Sequence, residues 1–293
     1  MIRAWFGVVL LAAVIVPRIS LACSCVAGPT SPYGFESLSD TLTLPVNAKG
    51  VLFSPPYDPN DPSSEVKLKA SSFSIGDEES NKKISVRINK IHLSKLDDLY
   101  PKLTLYRIEP KEPFKANHHY SFSFKGKTTD QTESSRKRVK YYLRVEIQNS
   151  KIDASALSKI QFKRNGEAKI DSISTPMAVQ CFMMLKSKIQ DIEYILPDEL
   201  KPFSESILFF TQYSSEIDKK QVWEYDSNLC STSRFGHQGA NNTKDLVYIS
   251  EHDMGYTRLK TNRKYQISAS WAFPEVSGEV YSDPGFEFEY MTK

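Results

Sequence analysis

Glycine, cysteine and histidine are scarce in this chain. Its 293 residues include 12 Gly, 4 Cys and 5 His, against 16 Phe and 15 Tyr. So little glycine beside so many aromatic residues favours β strands over disorder or glycine-rich loops. The chain also lacks a Gly-x-Ser-x-Gly elbow, a glycine-rich phosphate loop and a Cys-x-x-Cys redox pair. These absences favour a non-enzymatic protein, and they predict no catalytic, cofactor-binding or metal-ligating residues and no cofactor.

The chain also has no large excess of positive or negative residues. The formal net charge is +3, with 25% charged and 40% hydrophobic residues, which are the values of a soluble globular protein. A nucleic-acid binder needs a concentrated basic face, so nucleic acid is not expected as a partner. The length suits two domains, each able to bury its own core.

The first residues have the pattern of a signal peptide. Arg3 provides the positive end, and residues 5–16 are an apolar run that ends at Pro17. That run is shorter than the ~20 residues that a membrane-spanning helix needs. Ser20-Leu21-Ala22 is a cleavage signature of small residues, so we expect residues 1–22 to be removed and the protein to be exported to the periplasm or cell exterior.

Cleavage after Ala22 would make Cys23 the new N-terminus. The residues around Cys23 suggest two alternatives to a freely soluble protein. Leu21-Ala22-Cys23 resembles the processing site of bacterial lipoproteins, which implies a lipid on Cys23, although Ser20 departs from that pattern. Cys23-Ser24-Cys25 resembles the start of netrin-module inhibitors, in which the terminal amine and first carbonyl chelate a catalytic zinc. That second resemblance implies a metalloenzyme inhibitor, or an enzyme with a loop-built site, as the alternative function.

One phrase occurs twice in the chain. Each copy has an apolar residue, an Asn and, six residues after the apolar one, a Tyr: Phe114, Asn117 and Tyr120 in the first copy, and Leu259, Asn262 and Tyr265 in the second. Apolar residues then alternate with polar ones, as in Phe122 and Phe124 or Ile267, Ala269 and Trp271. A period of two predicts a strand with one buried face. Each copy is followed by one more alternating strand.

This repeat resembles bacterial exported proteins with tandem Ig-like or fibronectin type III-like domains. In fibronectin type III modules a Leu before a strand Tyr forms a corner, and here Phe114 stands in for that Leu in the first copy. The resemblance implies an all-β chain: a signal peptide (1–22), an exposed segment (23–39), and two β-sandwich domains at 40–150 and 151–293. Phe122 and Ile267 stand where an antibody domain has a cysteine, so that inter-sheet disulfide is not expected.

Local signals place further elements. Ile84, Val86 and Ile88 predict one strand, and Val66, Leu68 and Ala70 predict another. Asn165-Gly166 is a strong hairpin-turn signal. Residues 93–100 are the one helix candidate, of about two turns at most. Residues 128–140 read as a polar connection.

Several groups could bind cations, but each has a simpler interpretation. Asp58 and Asp61 resemble part of a cadherin calcium linker, yet their prolines favour an Asx turn. His237 and His252 could approach each other, although no spacing completes a zinc site. The neighbours His118 and His119 should point to opposite faces of a strand. The acidic residues 77–79 are interpreted as a solvated surface.

Two further features bear on binding. Arg136-Lys-Arg-Val-Lys140 is the densest basic run, and it could contact anionic lipid or a cell-surface polysaccharide. Trp223, Tyr225 and Trp271 could stack on a sugar, but period-two aromatics favour the core. We therefore expect a binding or structural module of the periplasm or cell surface, with an unknown protein or a polysaccharide as partner. Membrane association is expected only if Cys23 is lipidated.

The four cysteines predict a disulfide between Cys181 and Cys230, because both lie in the second half and exported proteins are oxidised. Closing this loop should contribute ~4 kcal/mol in the chain-entropy model. Non-reducing peptide mapping should recover the two cysteines in one linked pair of peptides. A peptide joining Cys23 or Cys25 to either of them would contradict this pairing.

Overall fold

Most of the alternating stretches of the sequence are β strands. The protein is represented by a computed structural model that describes residues 34–35, 41–54, 68–92, 105–129, 136–177, 181–215, 221–222, 243–250 and 261–292. Within these ranges there are sixteen strands and three short 3-10 helices, Ala70–Ser72, Ala154–Lys159 and Asp198–Ser206. The described part of the chain is thus mainly β, as the composition predicts.

Nine of these strands come from the first half of the chain. They are β1 (Gly34–Phe35), β2 (Thr41–Pro45), β3 (Val51–Ser54), β4 (Phe73–Asp77), β5 (Lys82–Ile84), β6 (Val86–Ile91), β7 (Leu105–Pro110), β8 (His119–Thr129) and β9 (Arg136–Gln148). Sheet I has the strand order β1-β3-β7-β6, and sheet II the order β2-β9-β8-β4-β5. Neighbouring strands are antiparallel, except that β2 runs parallel to β9 with Leu42 opposite Val145.

Seven described strands come from the second half. They are β10 (Gln161–Met177), β11 (Cys181–Ile195), β12 (Leu208–Ser215), β13 (Gln221–Val222), β14 (Lys244–Ser250), β15 (Lys264–Ala272) and β16 (Val280–Glu289). Sheet III has the order β10-β11-β14, and sheet IV the order β13-β12-β15-β16.

Sheets I and II share one core of interlocked aromatic rings. Phe53 of sheet I lies 5.0 Å from the ring of Phe73 and 4.8 Å from that of Phe124, both in sheet II. The first pair is edge-to-face, the arrangement that the ring quadrupoles favour. Residues alternate between this core and solvent along β8, so the buried Phe122 and Phe124 fix which side chains face outward.

Sheets III and IV pack in the same way. Tyr194 of sheet III lies 4.5 Å from the ring of Phe209 in sheet IV, and its hydroxyl is 2.9 Å from the Thr211 hydroxyl. Trp271 is buried, and its indole N–H donates to the Leu157 carbonyl over 2.8 Å. The sequence prediction that Trp271 belongs to the core is confirmed.

The outer faces of sheets I and IV also touch. A separate apolar cluster joins Leu52 and Leu105 of sheet I to Leu208, Phe210 and Ala272 of sheet IV. Polar contacts border it: the Arg107 guanidinium donates to the Pro274 carbonyl over 2.7 Å, and the Lys49 amide donates to the Glu275 carbonyl over 2.7 Å. The two halves of the chain are therefore in direct contact.

The Asn of the repeated phrase has the same geometry in both copies. Asn117 and Asn262 are left-handed, with φ of 61° and 58°, a conformation that Asn adopts more readily than most residues. The Asn117 amide donates to the Ile147 carbonyl and the Asn262 amide to the Tyr290 carbonyl, both over 2.7 Å. In the first copy the buried Tyr120 accepts a hydrogen bond from the Lys115 amide over 2.9 Å. The corner predicted at Tyr120 is present, and Leu259 lies outside the described residues.

The hairpin predicted at Asn165-Gly166 is wrong. β10 continues through these residues, because the chain on both sides pairs with one strand, Asn165 with Asp191 and Lys169 with Ile189. The Asn-Gly pair forms a bulge instead, in which Gly166 has φ of +74° and accepts a hydrogen bond from the Gln190 side chain over 3.2 Å. A glycine suits the bulge for the same reason that it suits a turn, since both need positive φ.

Other boundaries also differ from the predictions. Ala70 begins a 3-10 helix, and the strand next to it is β4, three residues later. The strand predicted over Ile84, Val86 and Ile88 is two strands, because the chain crosses from sheet II to sheet I at the exposed Ser85. β8 and β9 extend into the predicted polar connection at residues 128–140. The helix candidate at 93–100 lies outside the described residues.

The corner at Tyr120 makes a testable contribution to stability. Replacing Tyr120 by Phe should lower the free energy of unfolding by about 1 kcal/mol, because the buried Lys115–Tyr120 hydrogen bond is lost. Urea unfolding measures this change. Tyr142→Phe, at a side chain that is 59% exposed, is the matched control and should change stability by no more than a few tenths of that amount. Equal effects of the two substitutions would contradict the corner's role.

Candidate functional site

Most residues singled out in the sequence as possible ligands lie outside the described structure. This holds for Cys23, Asp58, Asp61, His237 and His252. Cys181 begins β11, but its side chain is not described, and Cys230 is outside the described residues, so the disulfide stays a prediction. Trp223 and Tyr225 are also outside, and Trp271 is buried in the core.

The basic run of the sequence lies on the hairpin of β8 and β9. Because Phe122 and Phe124 point into the core, the alternate residues of β8 face solvent. The hairpin register pairs Lys125 with Lys140, Ser123 with Tyr142 and Ser121 with Arg144. Cross-strand partners lie on the same face of a sheet, so these residues form one solvent-facing surface of sheet II.

The same register continues toward the end of the hairpin. Lys127 pairs with Arg138, and Thr129 with Arg136. β4 accompanies β8 over residues 120–124, and β2 accompanies β9 over residues 144–148. Beyond these points no third strand among the described residues pairs with the hairpin, and basic residues occupy positions 125, 127, 136, 138 and 140 of the chain. We refer to Lys125, Lys140, Tyr142 and Arg144, whose guanidinium is paired with Glu78 at 3.0 Å, as the cationic face.

Next to the cationic face, sheet II is covered only by small side chains. Ser74, Gly76, Ser121 and Ser123 occupy its outward positions on β4 and β8. A Cβ on Gly76 would come within 2.9 Å of the Ser121 hydroxyl, so even one methyl group is crowded there. Tyr142 stands above this floor, 59% exposed, with the Lys140 ammonium 4.3 Å from its ring centroid. A flat floor bordered by cations and an exposed aromatic ring can accommodate an extended anionic molecule.

The opposite end of β8 carries an acidic turn. β4 ends at Asp77, and the turn to β5 includes Asn81 in the left-handed region with φ of 51°. Asp77 continues the inward-facing row of Phe73 and Ile75, and its carboxylate is buried with 2% of its side chain exposed. That carboxylate accepts the backbone amides of Glu79 and Ser80, each over 3.2 Å.

Two histidines at the start of β8 contact this turn. His118 Nδ1 lies 3.0 Å from Asp77 Oδ1 and 3.6 Å from Glu79 Oε2. His119 Nδ1 lies 2.6 Å from Glu79 Oε1, and its amide donates to the same carboxylate over 2.8 Å. The prediction that these neighbouring side chains point to opposite faces of a strand is wrong, because both approach the Glu79 carboxylate. We call Asp77, Glu79, His118 and His119 the acid–imidazole cluster.

The charges of this cluster are set by its hydrogen bonds. Burial alone would raise the pKa of Asp77, but hydrogen bonds from Ser80 and His118 outweigh it and hold that pKa well below its usual range. The hydrogen bond from His119 likewise lowers the pKa of Glu79. Burial, together with the nearby Asp77 and Glu79 charges, raises the pKa of Tyr120. Both carboxylates are therefore ionised at neutral pH.

Two surface clefts complete the described surface features. One, of about 390 Å³, includes Arg87, Arg107 and Glu109. The other, of about 440 Å³, lies beside the β10 bulge and includes Lys264 and Glu287. Each cleft contains an ion pair, Arg107 with Glu109 at 2.7 Å in the first and Lys264 with Glu287 at 3.8 Å in the second. Paired charges of this kind are typical of a solvated surface, so neither cleft resembles a site of acid–base chemistry.

Sequence reasoning found part of this surface and missed the rest. The basic run in β9 was evident, but its cross-strand partner Lys125 depends on the hairpin register. Asp77 was hidden among acidic neighbours, although it follows Phe73 and Ile75 at a period of two. That alternation was the one available signal that its carboxylate is buried.

Comparison with known proteins provides no family. No protein-family model matches the chain, and no curated protein shows significant similarity to it. Among the described residues, no helix is long and apolar enough to cross a membrane.

The acidic turn generates a prediction about stability and pH. Replacing Asp77 by Asn should lower the free energy of unfolding at pH 7 by about 2 kcal/mol, because hydrogen bonds to a buried charged group are lost. The folded-state pKa is depressed, so this contribution is complete above the ordinary pKa of 3.8 and decreases as the pH falls below it. Urea unfolding of both proteins at pH 7, 4 and 3 measures the difference.

The matched control is Asp191→Asn, at an exposed position of β11. It should change the free energy of unfolding much less than Asp77→Asn at pH 7. A difference between Asp77→Asn and the unmodified protein that grows on acidification would contradict the depressed pKa.

Proposed function

We propose that this chain is an exported, non-enzymatic binding module that docks an anionic polysaccharide on the cationic face of sheet II. It consists of two consecutive Ig-like or fibronectin III-like β-sandwich domains, at residues 40–150 and 151–293. The observation that carries the proposed activity is the β8–β9 register, which places basic residues from both strands on one face.

The strand orders support the domain architecture. In the immunoglobulin lettering, β1 and β2 would share the role of strand A, and β3–β9 would be strands B, C, C′, D, E, F and G in that order. With these letters the strand order of sheet I is A-B-E-D, and sheet II contains the order C′-C-F-G. These are the two sheets of an immunoglobulin-type sandwich. Tyr120 then lies at the start of strand F, the position of the tyrosine corner in such domains.

The second half follows the same scheme. With β10–β13 as strands A, B, C and C′, and β14–β16 as E, F and G, sheet III reads A-B-E and sheet IV reads C′-C-F-G. Tyr265 then occupies the position of Tyr120, and Asn262 that of Asn117. The agreement of two separate halves on one order supports a duplicated domain.

An extended anionic polymer suits the cationic face better than a small anion. Positions two apart on a strand repeat about every 7 Å, so the basic residues form a ladder and not a single pocket. Such a ladder gains affinity from many weak contacts, each screened by salt. The exposed Tyr142 ring adds a surface on which a sugar ring can stack.

Export provides the setting for this ligand. Residues 1–22 have the features of a signal peptide, and an exported module meets cell-surface polysaccharides directly. A lipid on Cys23 would hold the same module at the membrane surface.

The experiment compares two charge-reversed variants in binding to heparin, used as a sulfated polysaccharide probe. Lys125→Glu combined with Lys140→Glu should weaken binding at least tenfold, because the centre of the cationic face changes sign. Lys69→Glu combined with Lys151→Glu changes the net charge equally at exposed positions outside these strands, and should change affinity about twofold or less. Calorimetric titration at 50 mM and 500 mM NaCl measures both, and affinity should fall with salt.

Circular dichroism and thermal unfolding verify that both variants fold. Equal weakening by the two variants would show that only net charge matters, and would overturn the proposal. Failure of the unmodified protein to bind heparin at 50 mM NaCl would overturn it as well. Titration with uncharged dextran tests whether stacking on Tyr142 binds a sugar without the charges. Because Tyr142→Ala keeps the basic residues, its binding to heparin should still depend on salt.

A further inference from the structure

We propose that Asp77, Glu79 and His118 form a three-ligand site for a divalent transition ion such as Zn²⁺. The three side chains each offer one donor atom, and these atoms all lie within 4.8 Å of one another. This inference is independent of polysaccharide binding, and it departs from the sequence-based expectation that the chain has no metal ligands.

The spacing of the donor atoms is that of a metal polyhedron. Zinc bonds to nitrogen and oxygen are about 2.0–2.2 Å long, so two ligands of a tetrahedral site lie about 3.4 Å apart. His118 Nδ1 is 3.0 Å from Asp77 Oδ1 and 3.6 Å from Glu79 Oε2, values that bracket this edge length. Small side-chain movements therefore suffice to place an ion between the imidazole and the two carboxylates.

The two carboxylates are oriented by hydrogen bonds from backbone amides. Asp77 accepts the amides of Glu79 and Ser80, and Glu79 accepts the amide of His119. Such outer contacts orient ligands before the metal arrives. Beneath them, the ring of Tyr120 lies nearly parallel to that of His118, with centroids 6.3 Å apart.

Exposure and charge are both suitable for an ion. Asp77 is almost fully buried, whereas 25% of the His118 side chain and 36% of the Glu79 side chain are exposed, so an ion can enter from solvent. Two carboxylates neutralise a divalent charge. The Lys115 ammonium, 3.5 Å from Asp77 Oδ2, is the cation that an ion would replace. One imidazole with two carboxylates favours Zn²⁺ or a related transition ion over Ca²⁺, which takes six to eight oxygen ligands.

Binding is an exchange of cations. In its neutral form His118 carries one ring proton; with that proton on Nε2, the Nδ1 lone pair bonds to the metal in place of the hydrogen bond with Asp77. Three protein ligands leave a fourth position for water or for a group from a partner. The metal would link β4 to β8 next to the tyrosine corner.

The test is calorimetric titration of the chelator-treated full-length protein with ZnCl₂. We expect one zinc ion per chain. His118→Ala and Glu79→Gln should each weaken binding at least tenfold. His92→Ala and Glu112→Gln, at exposed positions outside the trio, should keep the unmodified affinity.

A second measurement covers the possibility that His118→Ala unfolds the turn. Histidine-ring NMR of the unmodified protein should show His118 resonances shifting with one equivalent of zinc while those of His92 stay in place. Glu79→Gln keeps an acceptor for the His119 amide, so it separates loss of a ligand from loss of structure. Unchanged zinc affinity in both site variants, or no one-to-one binding by the unmodified protein, would overturn the proposal whatever the result with heparin.

Discussion

The hydrogen bond from the Lys115 amide to the Tyr120 hydroxyl holds the chain where it enters β8. β8 is the central strand of sheet II, paired with β4 on one side and β9 on the other. A shift of β8 by one residue would turn Lys125 toward the core and Phe124 toward solvent. Together with the buried Phe122 and Phe124, the corner therefore fixes which residues form the cationic face, and it also places His118 beside the acidic turn.

Much of this architecture could be predicted from periodicity. Strand alternation and the Phe114–Tyr120 and Leu259–Tyr265 repeats lead to the right strands at the end of each half, because a period of two depends only on which face is buried. The prediction of a hairpin turn failed because the same local sequence is compatible with two backbone structures. Gly166 satisfies a positive φ in a bulge as well as in a turn, and only the partner strand decides between them.

The candidate sites show the same limit. Arg136 to Lys140 is visible as a basic run, but a surface needs residues from two strands, and the hairpin register that adds Lys125 is not written in either strand alone. For Asp77 the prediction of a solvent-exposed carboxylate, based on its acidic neighbours, is wrong. Asp77 follows Ile75 in the inward-facing row of β4, and its carboxylate is buried because backbone amides provide the hydrogen bonds that water would otherwise make.

The parallel pairing of β2 with β9 determines how the first half resists a pulling force. Thr41 lies opposite Arg144 and Pro45 opposite Gln148, so the beginning of β2 and the end of β9 are at opposite ends of the pair. A force that draws these two ends apart acts along the strands and loads all their hydrogen bonds together, in shear. An antiparallel pair would bring the two ends to the same side and open one bond at a time. Tension applied across β2 and β9 is therefore resisted by all the hydrogen bonds of this strand pair at once.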